Sequence, residues 1–184
     1  MTKKNTITGP TVLTIIRMLL VIPFMVCVMM EGLVPKILAL VFFSVASITD
    51  EIDGRWARGK HLVTDMGAFL DPLADKMLVD LAFLALVYMN IIPIWMFSVI
   101  IVRDLAVDGM RMMAAREGIT ISASIWGKTK TTFQMITLIS IIANTIFNNE
   151  ILGIINTVLL YIVIILTVFS GLDYLVKGWK KVIK

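Results

Sequence analysis

Cysteine, histidine and charge are all scarce in this chain of 184 residues. Its one thiol, Cys27, permits no internal disulfide. Cys27 lies inside an apolar run, where it is expected to pack as a small hydrophobe. The one histidine, His61, stands in a basic stretch and is read as solvated. No segment alternates with period two, which excludes a barrel, and there is neither an internal repeat nor a low-complexity tract. Charged residues make up 16% of the chain against 59% hydrophobic, and the mean hydropathy is +0.93. A soluble domain of this length needs a more polar exterior, so the composition is that of a membrane protein.

What the chain has instead is a series of apolar blocks, each near the ~20 residues that cross a bilayer. They run over 11–30, 34–49, 66–90, 92–115, 130–148 and 151–176. The pattern predicts an all-α integral membrane fold of six transmembrane helices, with residues 1–184 forming one membrane-embedded domain. The first block has no small-residue cleavage site and carries Arg17, so it is read as a retained helix and not as a leader. Short turns follow the first, third and fifth blocks, whereas the linkers 50–65 and 116–129 are longer and polar. The net charge of +4 matters less than where the basic residues fall. Lys3, Lys4, Arg55, Arg58, Lys60, Arg116, Lys128, Lys130 and the lysines from Lys177 to Lys184 all lie on one side of the predicted spans. Positive residues favour the cytoplasmic side. Both termini and both long linkers are therefore expected there, and no nucleic-acid partner is expected.

An ionisable group inside the hydrocarbon costs about 2.5–3.5 kcal/mol on insertion scales and asks for a function. Asp50, Asp53, Asp65, Asp71, Asp75 and Asp80 crowd the second and third blocks, and Arg103, Asp104, Asp108 and Arg111 lie on the fourth. Asp50 and Asp53 are three apart, and Gly67, Asp71 and Asp75 are four apart, so on helices each set shares a face. Four carboxylates turned toward one another would repel and resist ionisation. Two divalent cations would cancel them, and hard oxygen ligands without His or Cys suit Mg²⁺, Mn²⁺ or Ca²⁺ rather than Zn²⁺. Gly54, Ala57 and Gly67 leave room beside the carboxylates for a large substrate. Arg58 offers a fixed cation for a phosphate or an aspartate. Pro72, lacking an amide hydrogen, is expected to loosen or bend the third helix. Asp65 stands where a helix cap belongs.

At these residues the sequence resembles the CDP-alcohol phosphotransferase family. Its signature, D-x2-D-G-x2-A-R-x8-G-x3-D-x3-D, is matched at every fixed position: Asp50, Asp53, Gly54, Ala57, Arg58, Gly67, Asp71 and Asp75. The resemblance implies a six-helix fold, a homodimer, and a site open to the cytoplasmic leaflet of a bacterial plasma membrane. It implies that Asp50, Asp53 and Asp71 bind two metal ions, Mg²⁺ or Mn²⁺, and the diphosphate of a CDP-lipid. Asp75 would sit close to the metals and act as the base on the acceptor hydroxyl. Gly54, Ala57, Arg58 and Gly67 would line the nucleotide pocket.

Across most of its length the chain looks most like the phosphatidylglycerophosphate synthase subfamily, through Pro10 to Arg17, Gly67 to Val79 and the segment from Arg103 to Thr131. That likeness implies CDP-diacylglycerol as donor and sn-glycerol 3-phosphate as acceptor, with Arg103, Arg111, Lys128 and Lys130 around the acceptor's phosphate. Arg103 and Arg111 are eight apart, two helical turns, and so share a face. The bland alternative pairs Arg103 with Asp104 or Asp108 and leaves Arg111 and Lys128 to the positive-inside bias. Two departures stand out: Asp104, where many relatives carry Glu, and Glu51, where an aromatic is common. Arg17 either reaches the nucleotide phosphates or snorkels to the surface. Trp95 and Trp179 suit interfacial belts, and the methionines suit packing or lipid contact. Rival readings are the same chemistry on inositol phosphate, serine or another lipid, and a cation transporter. The last would build its site from broken helices near the midplane.

Overall fold

The computed structural model describes residues 9–60, 65–117 and 124–182, with backbone alone at 9–11, 50–60, 65–72, 75, 115 and 177–182. The described residues form six α-helices and no strand: α1 Gly9–Met29, α2 Leu33–Lys60, α3 Asp65–Tyr88, α4 Ile94–Arg116, α5 Ile125–Phe147 and α6 Glu150–Val182. They divide into two compact units, Met1–Ala85 with Ile142–Phe147, and Leu86–Ile141 with Asn148–Lys184.

The helix ends follow local chemistry. Pro10 falls in the first turn of α1, where its missing N–H deprives no helical partner. Gly32, at φ 116°, makes the turn between α1 and α2, a conformation that side chains rarely adopt. Asn90 and Asn148 follow α3 and α5 with φ of 57° and 52°, the left-handed cap that Asn tolerates. Asn149 then caps α6, its Oδ1 accepting from Leu152 N at 3.0 Å. Ser124 caps α5 in the same manner, accepting from Gly127 N at 3.1 Å. Replacing it, Ser124→Ala, is expected to cost about 1 kcal/mol and to lower the thermal midpoint by a few degrees, read by unfolding in detergent.

Three boundaries differ from the apolar blocks. α2 runs on to Lys60 through the acidic and basic stretch read as a linker, and α6 runs on to Val182. α5 starts at Ile125, so Lys128 and Lys130 belong to its first turns and not to a loop. Hydropathy marks where a helix is apolar, whereas capping and propensity decide where it ends. α3 continues unbroken across Pro72.

In the first unit α1 packs on α2. Phe24 and Phe43, 1% and 0% exposed, meet with ring centroids 5.7 Å apart. Cys27 is buried among these packing residues, as expected. Arg17 is also buried, at 2% exposure, so it does not snorkel. In the second unit α4 packs on α6, and α5 pairs with α6 through an edge-on contact of Trp126 with Phe169 and a hydrogen bond from Ser140 to Asn156. Buried hydroxyls there bond back to their own helix, Thr137 to Phe133 O and Thr167 to Val163 O, each at 2.7 Å. That satisfies them where no water is at hand.

α1 and α6 are long and apolar enough to cross a membrane. Only 28% of each apolar stretch is buried in the protein, while Leu19, Ile22, Ile154 and Ile165 are more than half exposed. A soluble core helix would hide those side chains; here they need lipid.

Candidate active site

The four acidic positions divide between two helices. Asp50 and Asp53 fall in the last three turns of α2, and Asp71 and Asp75 in the first half of α3. Because both stretches are helical, the spacing of three in α2 keeps Asp50 and Asp53 on one side of it. The spacing of four keeps Gly67, Asp71 and Asp75 in one stripe on α3. Their side chains, with those of Gly54, Ala57 and Arg58, lie outside the described residues, as do His61 and the side chain of Trp179.

Arg103 and Arg111 both face α6. Arg103 Nη1 donates to Asp104 Oδ1 at 2.8 Å, and Nη2 donates to Ser170 Oγ at 3.0 Å. Arg111 Nε donates to the Tyr174 hydroxyl at 2.8 Å, with its guanidinium carbon 5.2 Å from the ring centroid. From the first contact to the second both helices advance toward their C-terminal ends, so α4 and α6 run in the same direction. Gly127 brings the start of α5 beside this group: a Cβ built there would stand 4.0 Å from Arg103 Nη2. Lys128 follows it and is exposed.

Lys130 behaves differently. Its Nζ donates to both Asp104 oxygens at 2.7 Å, and Lys130 and Asp104 are 3% and 6% exposed. Two charges in so dry a place persist only because each satisfies the other. Asp104 thus binds two cations at once, Lys130 from α5 and Arg103 from its own helix. The structure therefore brings Arg103 and Lys130 together on Asp104 and sets Gly127, the neighbour of Lys128, beside Arg103, while Arg111 stands two turns further along α4 against Tyr174. Sequence reasoning missed Ser170, Gly171 and Tyr174. They share a side of α6, and their signal was a small and hydroxyl-bearing cluster in an otherwise apolar helix.

Residues 7–169 match the family model described as CDP-alcohol phosphatidyltransferase. The chain belongs to this family. The match begins ahead of α1 and runs into α6, so it takes in the acidic helices and the cationic group alike. Family members are generally dependent on divalent cations. The chain is 39% identical to a CDP-diacylglycerol--glycerol-3-phosphate 3-phosphatidyltransferase of Bacillus subtilis, over 76% of this chain and 72% of the relative. It is 38% identical to a protein of the same name from Haemophilus influenzae, over 90% of each. A third of that name, from Yersinia enterocolitica, is 36% identical over 95% of this chain and 97% of its own. Within a CDP-alcohol phosphatidyltransferase the helical acidic pairs fit a divalent cation on donor chemistry: they supply charged hard oxygens with no competing nitrogen or sulfur.

Proposed function

We propose that this chain transfers the phosphatidyl group of CDP-diacylglycerol to sn-glycerol 3-phosphate, giving phosphatidylglycerophosphate and CMP in phospholipid synthesis. What carries the reading, beside relatives of that name, is the cationic group on α4 and α5. An acceptor with a free alcohol has no use for Arg103, Arg111 and Lys128 together, whereas a phosphomonoester dianion does.

The mechanism assigns each residue a task. Asp50, Asp53 and Asp71 would hold two divalent cations, Mg²⁺ or Mn²⁺, with Asp75 close by. When bound, the cations offset the charge of the diphosphate and of the departing CMP. Gly54, Ala57 and Gly67 admit the cytidine nucleotide, and Arg58 fixes a phosphate. Arg111, Lys128 and Arg103 grip the acceptor's phosphate, while Lys130 shares the pocket through Asp104. Asp75 takes the proton of the acceptor's 1-hydroxyl. The oxygen so released bonds to the lipid-bound phosphorus, and the phosphorus–oxygen bond to CMP breaks with its electron pair leaving on CMP. Fixing the acceptor at both ends converts an encounter in solution into a reaction between neighbours.

Six spans, with both termini and the site on the cytoplasmic side of a bacterial plasma membrane, complete the proposal. The placement of basic residues supports that orientation, and the like direction of α4 and α6 fits two even-numbered spans. Residues 1–184 act as one catalytic domain and pair as a homodimer. The decisive assay presents the purified protein with CDP-diacylglycerol and each acceptor in turn. Glycerol 3-phosphate is expected to exceed serine by on the order of 10²-fold or more in kcat/KM. Equal turnover of serine or inositol phosphate would sink the acceptor assignment. Metal flux into liposomes in the absence of CDP-lipid would point to a transporter.

A further inference from the structure

We infer that α6 sets the grip on the acceptor: Tyr174 is a positioning residue that aims Arg111 at the acceptor's phosphate, and Ser170 with Gly171 does the same for Arg103. The inference deepens the function proposed above and rests on it.

An arginine on a helix surface has many rotamers, and binding a phosphate through two parallel hydrogen bonds demands one of them. Arg111 is itself exposed, but the tyrosine that anchors it is 3% exposed. The Tyr174 hydroxyl accepts from Nε at 2.8 Å. The two Nη atoms of Arg111 carry no hydrogen bond among the described residues. Nε is thus fixed from below, and the fork of two Nη groups is left to meet an anion. A tyrosine used only as apolar filler would not need its hydroxyl placed on a cation.

Arg103 is held at its stem and at both Nη groups, while its buried Nε makes no hydrogen bond among the described residues. Ser170, fully buried, accepts from Nη2, and Asp104 accepts from Nη1. Gly171 lies against its stem, where an added Cβ would come within 2.8 Å of Arg103 Cγ. Cγ is close to the root of the side chain and cannot swing aside as a flexible tip would. Only glycine at 171 lets Arg103 follow this path.

The alternative is that these contacts merely fasten α4 to α6. Steady-state kinetics on the full-length protein in detergent separate the two, because fastening alone does not single out one substrate. Tyr174→Phe keeps the ring and removes the hydroxyl. It is expected to raise KM for glycerol 3-phosphate about tenfold, the loss of one hydrogen bond to a charged group. Both kcat and KM for CDP-diacylglycerol should stay within about twofold, since neither draws on that bond. Gly171→Ala is expected to shift the same KM by displacing Arg103, which tests the second arm without touching Tyr174. An unmoved KM for glycerol 3-phosphate in both variants, or a fall in kcat alone, overturns the inference. Arg111→Ala runs beside them. If it too leaves that KM unchanged, the acceptor pocket itself is overturned and the inference with it. If it raises KM while Tyr174→Phe and Gly171→Ala do not, only the inference falls. A wild-type protein that turns over serine but not glycerol 3-phosphate overturns the function and not merely its fine control.

Discussion

Asp75→Asn is expected to lower kcat by about 10²–10⁴-fold, the range that a positioned general base contributes, while CDP-diacylglycerol still binds. Asparagine keeps the shape and one oxygen of the aspartate but has no basicity near neutral pH, so the acceptor hydroxyl keeps its proton. Asp71, one turn earlier on the same face of α3, gives the contrast. Assigned to the cations and the diphosphate, it should show its effect in Asp71→Asn as lost donor binding. Equilibrium binding of the CDP-lipid and single-turnover chemistry, measured on both variants, tell the roles apart. Wild-type turnover by Asp75→Asn would remove the base assignment and leave the cation site standing.

A second large effect is expected in stability. Asp104→Asn takes away the carboxylate that Lys130 and Arg103 share. Breaking a buried ion pair by removing one member costs about 3–5 kcal/mol, which for a chain of this size lowers the thermal midpoint by on the order of 10 °C. The double variant Asp104→Asn with Lys130→Met removes both charges of that pair and should recover part of the loss, since Lys130 no longer carries a buried charge while Arg103 keeps Ser170 but loses its carboxylate. The same double variant asks what Lys130 does for the acceptor. If Lys130 works only through Asp104, KM for glycerol 3-phosphate follows Arg103's position and not the number of cations in the pocket.

Much of this was legible in the residues, and what was not has physical causes. The six helices were foreseen because each carries a long apolar stretch and short turns separate them. Their ends were misplaced wherever a helix continues past its apolar part, as α2 does to Lys60 and α6 to Val182. The start of α5 was hidden because Ser124 caps through a hydroxyl, a signal hydropathy does not contain. The family was legible because the eight signature residues lie within one stretch of 26. Arg103 and Arg111 were placed on one face from their spacing, and both do face α6. The pairing of Arg103 with Asp104 was one of the readings the sequence offered, but the partners on α6 could not be read, since Ser170 and Tyr174 stand 67 and 63 residues away along the chain. Nor could the fate of Arg17: a cation near a helix end permits both burial and snorkelling, and only packing decides between them. The tie between Asp104 and Lys130 was equally hidden, although the departure at position 104 had marked it as a place to look.

That tie has a consequence for descent. A lineage that exchanged the lysine at position 130 for a neutral residue would leave the buried acid to Arg103 alone, and one that lost the acid would take from the lysine the carboxylate it holds. Either change is harmful alone and tolerable in company, so the two sites should drift as a couple through the relatives of this protein. Position 128, which looks outward, has no such companion among the described residues and should vary independently of them.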